Sequence, residues 1–325
     1  MTDASPLQTV RDETLNYYYY QSLLQSRQRV LAFQAALRSC VQPHHVVTEI
    51  GSGLGTYSLF AAQAGVRRVY SIEKENVIKL AQGLAIRNGL GDRITFLQGN
   101  STELDPPEKA DVLVLEEFSS LFVRRGLEEV VRDGLERYLK PGGIVLPESV
   151  SLHLALVGDE KVWKSCLQLE DDHYKLYGLN LELLREIMLG SPHVRRLDPE
   201  GLSSEPVRFR SIALKQPESY LFDDVLTLQA KQSGTVYGLA GWFDLKLMRD
   251  IELSNAPTEP DCTWRQVFFP FSTPLKVSRQ EDVIVRVACN RSSHTRDVWW
   301  TWQASAASGV NDSRSFQGIA LSVPQ

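Results

Sequence analysis

Hydrophobic and polar positions divide the chain into two textures. Over residues 14–37, Leu23, Leu24, Val30, Leu31, Ala35 and Leu37 recur at three- and four-residue steps without internal Gly or Pro, which predicts a helix. Pro43 interrupts the pattern. A buried strand over 45–50 then runs into a glycine-rich segment. A helix over 57–64, a strand over 68–72 and a helix over 75–88 follow. Strands over 94–98 and 111–115 come next, then a helix over 127–139 stopped by Lys140-Pro141-Gly142-Gly143, and a strand over 144–146. Strands alternating with helices at this spacing predict a mostly parallel, doubly wound α/β sheet.

Beyond Pro147 the pattern changes. An alternating strand over 150–157 leads into a helical insert around 180–189. Short alternating strands are then predicted over 207–213, 225–229, 235–247, 263–270, 282–288 and 298–303. Such runs imply an antiparallel β-domain, either a barrel or a sandwich. There is no internal repeat and no low-complexity linker, so the expected organisation is two packed domains, 1–147 and 148–325.

Composition narrows the function classes. Over 325 residues, 43% hydrophobic and 23% charged positions exclude wholesale disorder. A formal charge of −5 argues against a broad basic face for nucleic acid. Cys40, Cys166, Cys262 and Cys289 are far apart with no CxxC pair, so neither a zinc site nor a disulfide framework is expected. The histidines (His44, His45, His153, His173, His193, His294) show no metal-ligand spacing, and no GxSxG elbow occurs. With no apolar leader and no apolar run of membrane length, the expectation is a soluble cytoplasmic protein with no membrane and no metal.

The sharpest chemical signal is Glu49-Ile50-Gly51-Ser52-Gly53-Leu54-Gly55 at the end of the first strand. Glycines there let the backbone turn tightly and approach a ligand. The third glycine comes one residue earlier than in a dinucleotide loop, and no Gly-Lys-Ser/Thr follows. Glu49 would repel a pyrophosphate but attract an ammonium. Glu73 ends the second strand twenty-two residues beyond Gly51, where a carboxylate can accept both hydroxyls of a ribose. Gly99, Asn100 and Ser101 close the third strand within reach of an adenine edge. An amine, a ribose and a base in this order point to S-adenosyl-L-methionine, with S-adenosyl-L-homocysteine as product.

From about residue 17 to 303, the sequence resembles the protein arginine methyltransferase family. The segments EIGSGLG and FAAQAGVRRVYSIE resemble its cofactor region, and 23–37 (LLQSRQRVLAFQAAL) its N-terminal lid helix. LKPGGIVLP at 139–147 resembles its linker into a β-barrel. The resemblance implies a Rossmann-like methyltransferase domain followed by an antiparallel β-barrel, with a helical dimerisation arm near 176–205 and a homodimer. It implies that Arg29 meets the cofactor carboxylate, and that Tyr20, Thr263 and Trp264 lie on the substrate side.

The acceptor site departs from that family's pattern. The family grips a guanidinium with two glutamates, whose oxygens take its forked N–H donors. Counted without gaps, the first falls on Glu116 and the second, nine residues on, on Arg125. The intervening 117–122 lacks the family's Trp-Met-Gly, and its loop histidine is Thr263 here. Four readings stay open for the second position. Glu117 supplies the missing carboxylate, although neighbours on an extended segment face opposite ways. Glu128 or Glu129 reaches in. Or Arg125 reads a negative group on a different acceptor, or merely pairs with Glu116 or Glu129. Glu116, Glu117 and Arg125 are therefore the catalytic candidates. The leading function is N-methyl transfer to an arginine-type nitrogen of a peptide, protein or small metabolite. Its rivals are a carboxylate-bearing small-molecule acceptor and a cofactor-binding pseudoenzyme acting as a regulatory partner.

Overall fold

The computed structural model describes residues 17–167, 178–216, 219–259, 262–292, 297–307 and 309–314. Tyr177 and residue 176 of the expected arm, together with His173 and His294, lie outside the described residues.

The first half is a five-stranded sheet of β1 (Val46–Ile50), β2 (Arg68–Glu73), β3 (Ile94–Gln98), β4 (Ala110–Leu115) and β5 (Leu139–Leu146) in the order β3-β2-β1-β4-β5. Every pairing in it is parallel. All five residues of β1 are buried, as a central strand covered on both faces requires. The helices are α1 (Tyr17–Gln25), α2 (Arg27–Cys40), α3 (Thr56–Gln63), α4 (Val77–Arg87) and α5 (Leu127–Asp133). Strand order reverses at β1, between β2 and β4, so the carboxyl ends of these strands form the crevice where such sheets bind ligands.

Two departures from the sequence reading have physical causes. The predicted N-terminal helix is broken at Ser26, a buried residue whose hydroxyl accepts the backbone N–H of Thr263 at 3.2 Å. No Gly or Pro marks that break; a tertiary hydrogen bond makes it. Near the other end of this half, Pro141-Gly142-Gly143 lies inside β5 rather than ending a helix. β4 meets β5 at Leu139 and again at Ile144, and the register shift between these pairs absorbs the extra residues.

The second half holds β6 (Ser149–Val157), β7 (His193–Arg195), β8 (Val207–Ala213), β9 (Phe222–Gln229), β10 (Gly234–Met248), β11 (Ile251–Ser254), β12 (Gln266–Val277), β13 (Asp282–Arg291), β14 (Val298–Ala306) and β15 (Gly309–Arg314). One antiparallel sheet runs β7-β12-β10-β6-β8 with β11 beside β10, and a second runs β15-β14-β13-β9. The two approach where β15 meets β12 and β9 meets β8, giving a barrel-like closure. Helices α6 (Glu160–Leu167) and α7 (Glu182–Leu189) lie outside these sheets. β12 continues past Pro270, because the β10–β12 register shifts between Val236 and Gly238 and opens the ladder at the proline.

One hydrophobic core joins the halves: Phe118, Leu121 and Phe122, just after β4, pack in the same cluster as Leu152, Phe243 and Trp264 of the second half. Phe118 is 5.2 Å from the Trp264 ring and 5.9 Å from Phe243. The segment carrying the acceptor candidates is thereby anchored against the barrel. Among the described residues no helix is long and apolar enough to cross a membrane, and no group of metal-ligating side chains forms.

Candidate active site

The glycine loop occupies the crevice at the end of β1. Gly51, Gly53 and Gly55 have φ of 72°, 51° and 68°, left-handed values that favour glycine. Gly51 is restricted in a second way, because a Cβ there would overlap the side chain of Glu117. Glu73 braces the loop: one carboxylate oxygen accepts the Gly53 N–H at 2.8 Å and the other that of Glu75 at 2.9 Å. Each oxygen keeps a lone pair for a ligand hydroxyl. Gly99 follows directly, its N–H donating to the Glu73 carbonyl. Asn100 is exposed at this rim, while Ser101 is buried and its carbonyl accepts from Arg137 and Tyr138.

Glu49 lies beneath the loop. Its carboxylate accepts both the backbone N–H of Ser58, at 2.6 Å, and the Ser58 hydroxyl, in the first turn of α3. Burial outweighs these bonds and lifts its carboxyl from 4.5 to about 8. The sign is that of a carboxyl raised on folding. Its contribution to stability is fully present below about pH 4.5 and is lost as pH rises through about 8. Glu49→Gln is therefore expected to flatten the fall in urea midpoint of the ligand-free protein between about pH 5 and about pH 8.

Arg29 and Glu116 form the centre of the site. Arg29 Nη1 lies 2.9 Å from Glu116 Oε1, Nη2 donates to the Leu23 carbonyl at 2.6 Å, and the guanidinium sits 5.2 Å from the Trp264 ring centroid. The Arg29 side chain is 4% exposed and that of Glu116 17%. Burial raises the Glu116 carboxyl despite its arginine partner. The Arg29 Nε and the Ser52 hydroxyl are buried without a hydrogen-bond partner. Such orphaned donors beside a glycine loop fit a ligand carboxylate or polar group. An amino-acid-bearing nucleoside therefore fits the residues present, with Arg29 and the loop at one end and Glu73 and Gly99 at the other.

The remaining candidates fall in different places. The chain leaves β4 at Glu117 and strand alternation ends there; Glu117 lies against Gly51 of the glycine loop and pairs with Arg124, while Glu116 pairs with Arg29. The second carboxylate expected from the nine-residue spacing is replaced differently from any pairing foreseen. Arg125 points outward, 63% exposed, and pairs with Asp297 at 3.2 Å rather than with Glu116 or Glu129. Glu128 pairs with Arg132 and Arg291, and Glu129 with Arg291, so neither fills the gap. Tyr20 lies over Gly53 on the loop side, where burial pushes its hydroxyl up to about 12 and Glu73 adds to the shift. Thr263 reaches α1 and α2 through Ser26, and Trp264 backs Arg29.

Sequence reasoning missed Arg124, which pairs with Glu117 at 2.8 Å, and Asn255. The latter is fully buried and ties Ser120 to Arg265 through its amide. A one-residue shift in the count would have found Arg124. Nothing in the local sequence marks Asn255.

A Rossmann-like sheet with this loop, joined to a barrel-like β-domain, defines the methyltransferase class of α/β folds. Residues 48–146 match the family described as methyltransferase domain, and residues 148–305 match the arginine methyltransferase oligomerization subdomain. A rice (Oryza sativa subsp. indica) protein named Probable histone-arginine methyltransferase CARM1 is 32% identical over 304 residues, covering 86% of this chain. The chain spans 57% of that relative's length. Protein arginine N-methyltransferase 1 of Saccharomyces cerevisiae is 24% identical, with 94% of this chain and 91% of the relative covered. Among solved structures, the Trypanosoma brucei PRMT1 enzyme-prozyme heterotetrameric complex with AdoHcy superposes with a TM-score of 0.84 at 20% identity, covering 93% of this chain and 99% of that one. The chain thus carries a methyltransferase domain followed by the oligomerization subdomain of arginine methyltransferases.

Proposed function

We propose that the chain is an S-adenosylmethionine-dependent N-methyltransferase acting on a guanidino nitrogen of arginine in a peptide, a protein or a small metabolite. The observation that carries this reading is Glu116, a carboxylate fixed by buried Arg29 at the strand-order switch beside the glycine loop. When bound, the cofactor supplies the methyl group. Arg29 and the Gly51–Gly55 turn hold its amino-acid end, and Glu73 its ribose. Glu49 supports the loop through its bonds to Ser58 of α3, and a cofactor ammonium beside it would draw its raised carboxyl into the charged form. Glu116 and Glu117 accept N–H groups of the acceptor, orient it and reduce the positive charge on the nitrogen that reacts. Phe118 and Trp264, packed together behind the pair, keep water from its rear.

The test uses methyl-deuterated S-adenosylmethionine with an arginine-containing peptide and with clarified lysate of the native source. Protein and small-molecule fractions are hydrolysed and read by mass spectrometry. Deuterated methylarginine is the expected product, and the fraction that carries it identifies the acceptor's size class. Label on other compounds alone would overturn the arginine reading. The carboxylate-bearing acceptor draws no support from Arg125, whose guanidinium is already paired with Asp297 at the surface.

The same reading includes a cytoplasmic homodimer joined through the 176–205 arm. It is supported by four free, buried cysteines and by Leu179, Leu183 and Leu184, which are exposed at and just before α7. Replacing Leu183 and Leu184 together with Glu is expected to convert the dimer to monomer by light scattering, with the fold retained by circular dichroism.

A further inference from the structure

The site carries two ion pairs of unlike strength. Arg29–Glu116 is buried, whereas Arg124–Glu117 is open to water, with side chains 38% and 25% exposed. Arg124 grips Glu117 twice, through Nη2 to Oε2 at 2.8 Å and through Nε to the Glu117 backbone carbonyl. Glu117 itself lies against Gly51, at the border between the cofactor loop and the acceptor side. Each acceptor-side carboxylate is thus neutralised by an arginine of the same chain. Each pair takes up one oxygen of its carboxylate, so a cationic acceptor gains a forked, two-oxygen grip only by displacing one of these partners. Breaking a buried pair strands a charge away from water, while an exposed pair gives way at little cost. The exposed pair yields.

We propose that Arg124 is a displaceable internal guanidinium that occupies Glu117 and competes with the acceptor, and so sets the affinity for cationic acceptors. This inference rests on the arginine reading above and adds a specificity-determining residue to it. Arg124 offers Glu117 the same planar fork that an acceptor arginine would offer, so only a better-placed guanidinium displaces it. The competition is electrostatic at an exposed site and weakens with salt.

The experiment measures anisotropy of a fluorescent arginine-containing peptide binding to the full chain in the presence of S-adenosylhomocysteine. Wild type is compared with Arg124→Ala, Arg124→Lys and the double variant Arg124→Ala with Glu117→Gln. The peptide is expected to bind Arg124→Ala about five-fold more tightly than wild type, the scale of an exposed ion pair removed. Arg124→Lys should fall between them, and the double variant should lose the gain. Steady-state methylation by Arg124→Ala should show a lower KM with kcat little changed. Equal or weaker binding by both Arg124 variants, at an unchanged thermal midpoint, would overturn the proposal, as would a gain that survives loss of the Glu117 charge. The labelling experiment on wild type separates the two readings. Deuterated methylarginine with no change on removing Arg124 sinks this inference alone. No methylarginine and no change sink both. Binding and labelling gained only in Arg124→Ala support it most directly.

Discussion

Glu116→Gln is expected to abolish most methyl transfer while leaving the cofactor site able to bind. Glutamine keeps the size of the side chain but removes the charge that an acceptor guanidinium would meet. Loss of one preorganised charge at a reacting centre lowers kcat by about 10²–10³. The same change strands Arg29, whose side chain is 4% exposed and whose Nε already lacks a partner. Breaking a buried pair in this way costs about 3–5 kcal/mol. A ligand carboxylate that reaches Arg29 relieves that penalty. Calorimetric titration with S-adenosylhomocysteine should therefore give affinity equal to or tighter than wild type, and the ligand-free thermal midpoint should fall. Arg29→Ala should do the reverse to affinity, and the double variant Arg29→Ala with Glu116→Gln should be less destabilised than the sum of the two single variants. Normal activity in Glu116→Gln would remove the residue from the mechanism.

Gly51→Ala should have the second large effect, and on a different link of the chain from sequence to function. At φ of 72°, alanine adopts a conformation that costs about 1–2 kcal/mol. Its methyl group also collides with Glu117, which must swing away from the loop and from Arg124. The backbone N–H groups of Gly51 and Ser52 both donate to the Ile72 carbonyl at 2.9 Å, so the loop cannot shift without disturbing the end of β2. Cofactor affinity is expected to fall about 100-fold, read by the same titration, a loss equivalent to about 2.7 kcal/mol. Gly65→Ala is the control: its φ of 87° carries the same backbone strain, but its Cβ meets nothing within 4 Å, so it should lose stability without losing cofactor affinity.

What could be read from the sequence follows from what is local. The glycine loop, Glu73 and the alternation of strands and helices are set by neighbours along the chain, and β3 and β8 fall on their predicted residues. The three-residue β7 and four-residue β11 are too short to show a period, so they were invisible. The acceptor side was legible only in part. Counting positions found Glu116, but the direction of each side chain after β4 depends on how the chain leaves the sheet and packs Phe118 against Trp264. That turn brings Glu117 inward, gives it Arg124 and sends Arg125 out to Asp297. Asn255 and Ser26 act across long sequence separations, through partners that no local pattern reveals.

The interruption at Ser26 separates α1, nine residues long within the described chain, from α2, so that α1 is free to undock on its own. α2 is different, with Phe33, Ala36 and Leu37 fully buried in the main core. The two therefore open at separate free energies: amides of α1 should exchange with solvent through local undocking, and those of α2 only with the sheet beneath. Because Tyr20 of α1 overlies Gly53 and Arg29 holds the Leu23 carbonyl, each undocking uncovers the loop and frees one arm of that guanidinium. Release of whatever rests on the glycine loop is then expected to follow the undocking of α1 rather than the unfolding of the domain.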